Sequence, residues 1–249
     1  MTASLGLSMV FAIINIFFAP TLTELLFLPT PTRIKSDYVL MLVQCIIGIV
    51  ALFLPSIIAK RMNYETRGRM SILYMVFLYC SIYLGEVRDF YNTVPHWDTI
   101  LHTFSGAMLG VVGFIIVNAF NDSENVKVNL SPGFVALFAF SFAITIGILW
   151  EVWEFTTDSI FKVNMQRFMM PDGTPLVGRA ALMDTMKDII VDCVGALITA
   201  TFGFLMLAKD RLWLLNFRLR KKGECDRNKE ESARLSQENI VIIKEMSMR

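Results

Sequence analysis

Charge is scarce in this 249-residue chain. Asp, Glu, Lys and Arg together make up 18%, where a soluble domain carries about a quarter. Set against 55% hydrophobic residues, 20 Phe and 15 Met, that shortage excludes an ordinary water-soluble globule. No Lys or Arg precedes the first apolar run, so the basic n-region of a secretory signal is missing and the run is expected to stay as a helix. The four cysteines, Cys45, Cys80, Cys193 and Cys225, show no Cys-x-x-Cys spacing of the metal-binding kind. Three of them fall inside apolar runs, where buried thiols are expected and disulfides are not. The chain also lacks a Gly-x-Ser-x-Gly elbow, a His-Glu-x-x-His zinc helix and a phosphate loop.

In place of charge there are long uncharged runs. Six lie at about 4–26, 38–59, 70–85, 98–120, 131–153 and 188–208, each near the roughly 20 apolar residues that cross a bilayer as a helix. The third is short, and the first is interrupted by Pro20 and Glu24. The expected fold is all-α: a polytopic transmembrane helix bundle of about six spans over residues 1–208. The bilayer is then a partner, and no nucleic-acid surface is needed to explain the remaining charges.

Net charge is only +1, but it is unevenly spread: residues 209–249 hold 11 Lys and Arg against 7 Asp and Glu. Lys60, Arg61, Arg67 and Arg69 crowd the second connection, and Lys209, Arg211, Arg218, Arg220, Lys221 and Lys222 follow the last span. With six spans these two basic regions share a side, which the positive-inside rule places in the cytoplasm together with both termini. Residues 209–222 interleave bases with Leu212, Trp213, Leu214, Leu215 and Phe217. They read as an amphipathic juxtamembrane helix or as a simple stop-transfer anchor. Residues 223–249, rich in Glu, Lys, Ser, Asn and Gln, are expected to be a disordered cytoplasmic tail.

The acids inside this apolar frame carry the functional signal. Asp98 with His102, then Glu151, Glu154 and Asp158, then Asp184, Asp188 and Asp192 recur at spacings of three, four and seven, so each set shares one helix face. In the six-span topology all three sets arrive at the extracytoplasmic end, together with Glu86, Arg88 and Asp89. From Asp192 to Ala208 is about 24 Å of helix at 1.5 Å per residue, which places Asp192 inside a hydrocarbon core of roughly 30 Å. Ionisable groups at that depth must be paired, hydrated or bound to a cation. So many carboxylates cannot all be ionised side by side in a low-dielectric pocket. The candidates to neutralise them are protons, the bases Arg88, Arg179 and Lys187, or a divalent cation. Oxygen ligands with one imidazole suit Mg²⁺, Mn²⁺, Ca²⁺ or Zn²⁺.

The segments Trp97-Asp98-Thr99-Ile100-Leu101-His102, Trp150-Glu151-Val152-Trp153-Glu154 and Asp184-Thr185-Met186-Lys187-Asp188, with Asp192, Gly195 and Ala196, resemble the YjdF-type bacterial inner-membrane proteins. The likeness covers roughly residues 70–208, and its third element is the most specific. It implies several membrane helices, a bacterial cytoplasmic membrane location and a shared acidic site; it implies no reaction. Residues 159–183 and the basic tail depart from the pattern, so nothing carries over there.

Each element also has a plainer reading. Asp98 and His102 suit a helix start, and Glu151 and Glu154 beside Trp150 and Trp153 suit an interfacial belt. Arg88 suits an ion pair with Glu86 or Asp89. Asn118 and Asn121 read as caps. Gly106, Gly110 and Gly113 read as a close-packing face, and 171–174 as a turn. Three functional classes follow. A metal-dependent membrane enzyme on a lipid-linked or envelope substrate would use His102, Glu154, Asp184 and Asp188 as metal ligands and Glu151 and Asp192 in catalysis. Asp98, Asp158, Arg88 and Lys187 would be further pocket residues. A cation- or proton-coupled transporter and a structural protein with buried ion pairs are the alternatives. Residues 159–183 are placed to form a lid.

Overall fold

The computed structural model describes residues 1–25, 33–61, 64–65, 68–121, 130–170, 173–210, 213 and 220–221. In chain order the elements are α1 (Thr2–Phe18), α2 (Leu22–Leu25), α3 (Lys35–Arg61), β1 (Tyr64–Glu65), α4 (Gly68–Leu78), a π-helical segment (Tyr79–Val87), α5 (Phe90–Thr93), α6 (Trp97–Asn121), α7 (Pro132–Phe161), α8 (Met183–Lys209) and β2 (Arg220–Lys221). Among the described residues, five helical stretches are long and apolar enough to cross a membrane: Lys35–Arg61, Met70–Val87, Trp97–Phe120, Pro132–Phe161 and Met183–Lys209. The fold is an all-α polytopic bundle with a shorter apolar helix at its start.

The first run ends earlier than its hydropathy suggests. Ala19 is extended, at φ −70° and ψ 147°, as a residue before proline prefers, so α1 stops at Phe18 with 17 residues. The fifth and sixth helices run further than their uncharged cores. α7 continues to Phe161 and α8 begins at Met183, which takes Glu154, Asp158 and Asp184 into regular helix. α4 passes into the π-helical segment, whose wider i→i+5 pattern is seen where the Arg88 amide donates to the Tyr83 carbonyl at 2.9 Å. The Trp97 indole N–H donates to the Cys80 carbonyl at 3.3 Å, tying the start of α6 to this segment.

α6, α7 and α8 form one layer, and α1, α3 and the α4–π helix the other. The first layer is built on small residues. A Cβ on Gly106 would fall on the main-chain carbonyl of Asp192, and one on Gly195 on that of Thr103. The α6 and α8 backbones therefore touch, as small-residue faces in membrane helices allow. A Cβ on Gly113 would come within 2.6 Å of Ala139 Cα, so α7 sits almost as close. Away from the acidic residues these three helices close over Phe114, Val117, Val135, Ala136, Ala139 and Leu207. Asn118, expected as a cap, is instead buried, with no hydrogen-bond partner for its side-chain amide among the described residues.

β1 and β2 pair antiparallel, Tyr64 opposite Lys221 and Glu65 opposite Arg220. This brings the connection after α3 and the segment after α8 to the same end of the bundle. Arg220 and Lys221 are extended, and Lys222 lies outside the described residues. Most of 211–219, and all of the expected tail at 223–249, lie outside the described residues.

Candidate functional site

At the opposite end, α6 and α8 begin and α7 ends, and their acidic faces converge on His102. Its Nδ1 lies 3.3 Å from Asp192 Oδ2. Ser105, one turn along α6, sends its hydroxyl to Asp192 Oδ1 at 2.7 Å. The close α6–α8 crossing at Gly106 and Gly195 makes both contacts possible. Gly147 on α7 clears the same carboxylate, for a Cβ there would stand 2.8 Å from Asp192 Oδ2. With Nδ1 held by Asp192, the imidazole presents Nε2 to the remaining acids. Asp98 Oδ1 is 3.8 Å away and Asp188 Oδ2 4.0 Å, within ion-pair range but beyond hydrogen-bond length.

Ligand atoms of Asp98, His102 and Asp188 all lie within 4.8 Å of one another, and so do those of His102, Glu151 and Glu154. Two three-residue groups thus share one histidine. Glu154 is partly satisfied by the Trp150 indole N–H at 2.8 Å. Glu151 is not. Thr185 stands beside it, yet neither of its carboxylate oxygens makes a hydrogen bond of ordinary geometry among the described residues, and Asp188 Oδ1 is equally unpartnered. Glu151 and Asp188 are 4% and 2% exposed, so water does not freely reach these oxygens. Leaving a buried charged group unsatisfied costs several kcal/mol in order of magnitude.

The remaining expected residues fall elsewhere. Asp158 is buried, and its carboxylate accepts the amides of Met165 at 2.6 Å and Gln166 at 3.0 Å. It anchors the connection after α7. Asp184 lies at the rim, 3.5 Å from Arg167 Nη1. Arg88 is exposed and makes no ion pair among the described residues. Its expected partner Asp89 pairs with Arg33 at 3.2 Å, and Arg33 also donates to the Glu86 carbonyl. Arg179 is exposed, and Lys187 is half-buried without an ion pair among the described residues.

The base that reaches the cluster is one the sequence did not single out. Arg167 Nη1 sits 3.2 Å from Asp98 Oδ2, and its guanidinium lies 5.5 Å from the centre of the Tyr91 ring. Burial works against its charge, but Asp98, Asp184 and Asp188 outweigh burial and hold its pKa above the ordinary arginine value. Burial, then Asp98, Glu86 and Glu154, push the Tyr91 hydroxyl well above its ordinary range, so it stays a neutral phenol. Arg167 has no helical spacing to betray it, and Tyr91 lies outside every acidic motif. Ser105 was readable, standing three residues after His102 on the same face.

The apolar helices and their recessed acidic cluster define a multi-helix membrane protein. Residues 7–209 match the family described as Predicted membrane protein (DUF2238), and the chain belongs to that family. This agrees with the likeness drawn from its three acidic segments and extends it toward the N-terminus. The chain is also 30% identical over 146 residues to an uncharacterized protein of Thermotoga maritima, a match covering 57% of this chain and 66% of that protein, just under two thirds of its length. No solved structure matches.

Proposed function

We propose that the protein is a metal-dependent membrane enzyme acting on a lipid-linked or envelope substrate. Its divalent cation, Mg²⁺, Mn²⁺, Ca²⁺ or Zn²⁺, would be held by His102 Nε2 with carboxylates drawn from Asp98, Asp188, Glu151 and Glu154. The observation that carries this reading is the set of buried oxygens that make no hydrogen bond of ordinary geometry among the described residues, both of Glu151 and Oδ1 of Asp188, beside an imidazole already oriented from behind. A carboxylate bonded to the far nitrogen of a histidine is the usual outer support of a metal ligand. Asp192 is thus the positioning residue, and Asp184 belongs to the rim and not to the ligand set.

When bound, such a cation polarises a substrate oxygen and makes a water acidic enough to attack at neutral pH. Glu151, whose oxygens make no hydrogen bond of ordinary geometry among the described residues, would, where it is not itself a cation ligand, be placed to accept the proton released. Asp192, itself held by the Ser105 hydroxyl, fixes the orientation of the His102 ring. The apolar closure around Phe114 and Leu207 separates the cluster from the β1–β2 end, an arrangement that favours catalysis at one face over a path through the bundle. A purely structural role is less well supported. Of the bases among the described residues, only Arg167 and His102 come within ion-pair distance of the acids of the cluster.

The basic segments flanking β1 and β2 support an orientation with that end and both termini in the cytoplasm of a bacterial cell, and the acidic site facing outward. The test is turnover by the purified protein of lipid-linked substrates, with each cation or with a chelator. The expected result is cation-dependent product release that His102→Ala abolishes. Cation-dependent ion flux into proteoliposomes without any turnover would instead establish the transporter.

A further inference from the structure

The loop between α7 and α8 is built to aim one side chain. Asp158 fixes the amides of Met165 and Gln166, the Gln166 side-chain amide donates to Thr185 at 2.9 Å, and Asn164 exchanges two bonds with the Met169 backbone, at 2.9 and 3.0 Å. Arg167, between these ties, holds φ at 49°, a left-handed conformation uncommon for a residue with a side chain. Its guanidinium is thereby set over the starts of α6 and α8. Only Nη1 is engaged with acids there, the other guanidinium nitrogens making no hydrogen bond among the described residues. The side chain is 33% exposed, so part of it is open to solvent at the mouth of the site.

Asp98 links this arginine to the candidate metal position. One of its oxygens faces Arg167 at 3.2 Å, and the other faces His102 Nε2 at 3.8 Å. A planar forked cation thus stands across a single carboxylate from the cluster proposed to hold a divalent ion. A neutral sugar or amide gains little from such a pair, whereas phosphate oxygens are matched both by the fork of an arginine and by a divalent ion. The site lies where α6 and α8 start, which in the bilayer orientation proposed above would come near the level of phospholipid headgroups at the edge of a core about 30 Å thick.

We propose that the group recognised at this site is a phosphate, bound jointly by Arg167 and the cation, so that the substrate is a phosphate ester. This rests on the metal-enzyme reading above. A soluble ester and a lipid headgroup carry the same group, and the test separates them.

Inorganic phosphate is titrated calorimetrically into the full-length protein in phosphate-free detergent, with and without saturating cation. A second arm uses nanodiscs of phosphatidylcholine with or without phosphatidic acid, the latter as competitor. The wild type is compared with Arg167→Gln, Arg167→Lys and, as a control on the same loop, Arg179→Gln. The expected result is cation-dependent phosphate binding weakened about tenfold or more by Arg167→Gln, less by Arg167→Lys, and not by Arg179→Gln, with cation affinity retained throughout. Competition by phosphatidic acid would identify a lipid headgroup as the source, and its absence a soluble ester. Arg167→Lys keeps the charge and provides a folded comparison if the glutamine variant is unstable. Cation binding without phosphate binding, or phosphate binding indifferent to Arg167, overturns this proposal alone. Phosphate binding that needs Arg167 but no cation overturns the metal reading and, with it, the cation's share in this proposal while leaving the Arg167 contact standing, and no binding of either overturns both.

Discussion

At the scale of single residues, the site depends on how its polar groups are held from behind. Asp192 meets the histidine through Nδ1 and is itself fixed by the Ser105 hydroxyl. Asp192→Asn keeps the shape but removes the charge that orients the ring, and should weaken cation binding about ten- to a hundredfold. Calorimetry on the folded variant checks this. Asp158 acts elsewhere. Its two backbone bonds hold the start of the loop, so Asp158→Ala should expose the Met165 and Gln166 amides to faster hydrogen exchange while leaving cation affinity largely unchanged. A large loss of cation binding in that variant would place Asp158 in the site after all.

At the scale of elements, the α6–α8 crossing decides whether the acids can meet. Gly106 and Gly195 let the two backbones touch within a turn of His102 and Asp192. Gly106→Val should cost about 1–3 kcal/mol of stability and reduce cation affinity by moving Asp192 away. Gly110→Ala should do much less, because a Cβ there meets only the Thr199 side chain at 3.1 Å. Thermal unfolding in detergent ranks the two, and equal effects would mean the crossing is not tight at Gly106. Most of this was legible: the glycine face, and the acids three and four apart on three helices. Helix ends were less so. Hydropathy stops counting at a charge, while α7 and α8 run on through Glu154, Asp158 and Asp184 because those residues lie against neighbouring elements. The neutralising base was illegible. Arg167 is aimed by a left-handed turn and by hydrogen bonds from a helix it does not belong to, and neither leaves a periodic trace. Arg88, beside the acids in sequence, makes no ion pair among the described residues, and Arg33 from a distant segment takes Asp89.

At the scale of the whole molecule, the bundle has two unlike ends. One gathers the acids, Arg167 and the α7–α8 loop. The other carries the β1–β2 pair and the basic segments around it. Thiol labelling tells the two ends apart, because Arg179 is exposed near the first and Lys60 near the second. A cysteine replacing Arg179, in a background without the native thiols, should react with an impermeant maleimide in intact cells. A cysteine replacing Lys60 should react only after lysis. The reverse pattern would invert the orientation.

The proposed function stands on cation binding by the buried acids around His102. It is tested most directly by elemental mass spectrometry of protein purified in detergent without chelator, for the wild type and for His102→Ala, Asp188→Asn and Asp184→Asn. A stoichiometric divalent metal is expected, lost in the first two variants and retained in Asp184→Asn, whose carboxylate serves the rim. A metal-free wild type that still binds none when cations are supplied to the folded protein would contradict it.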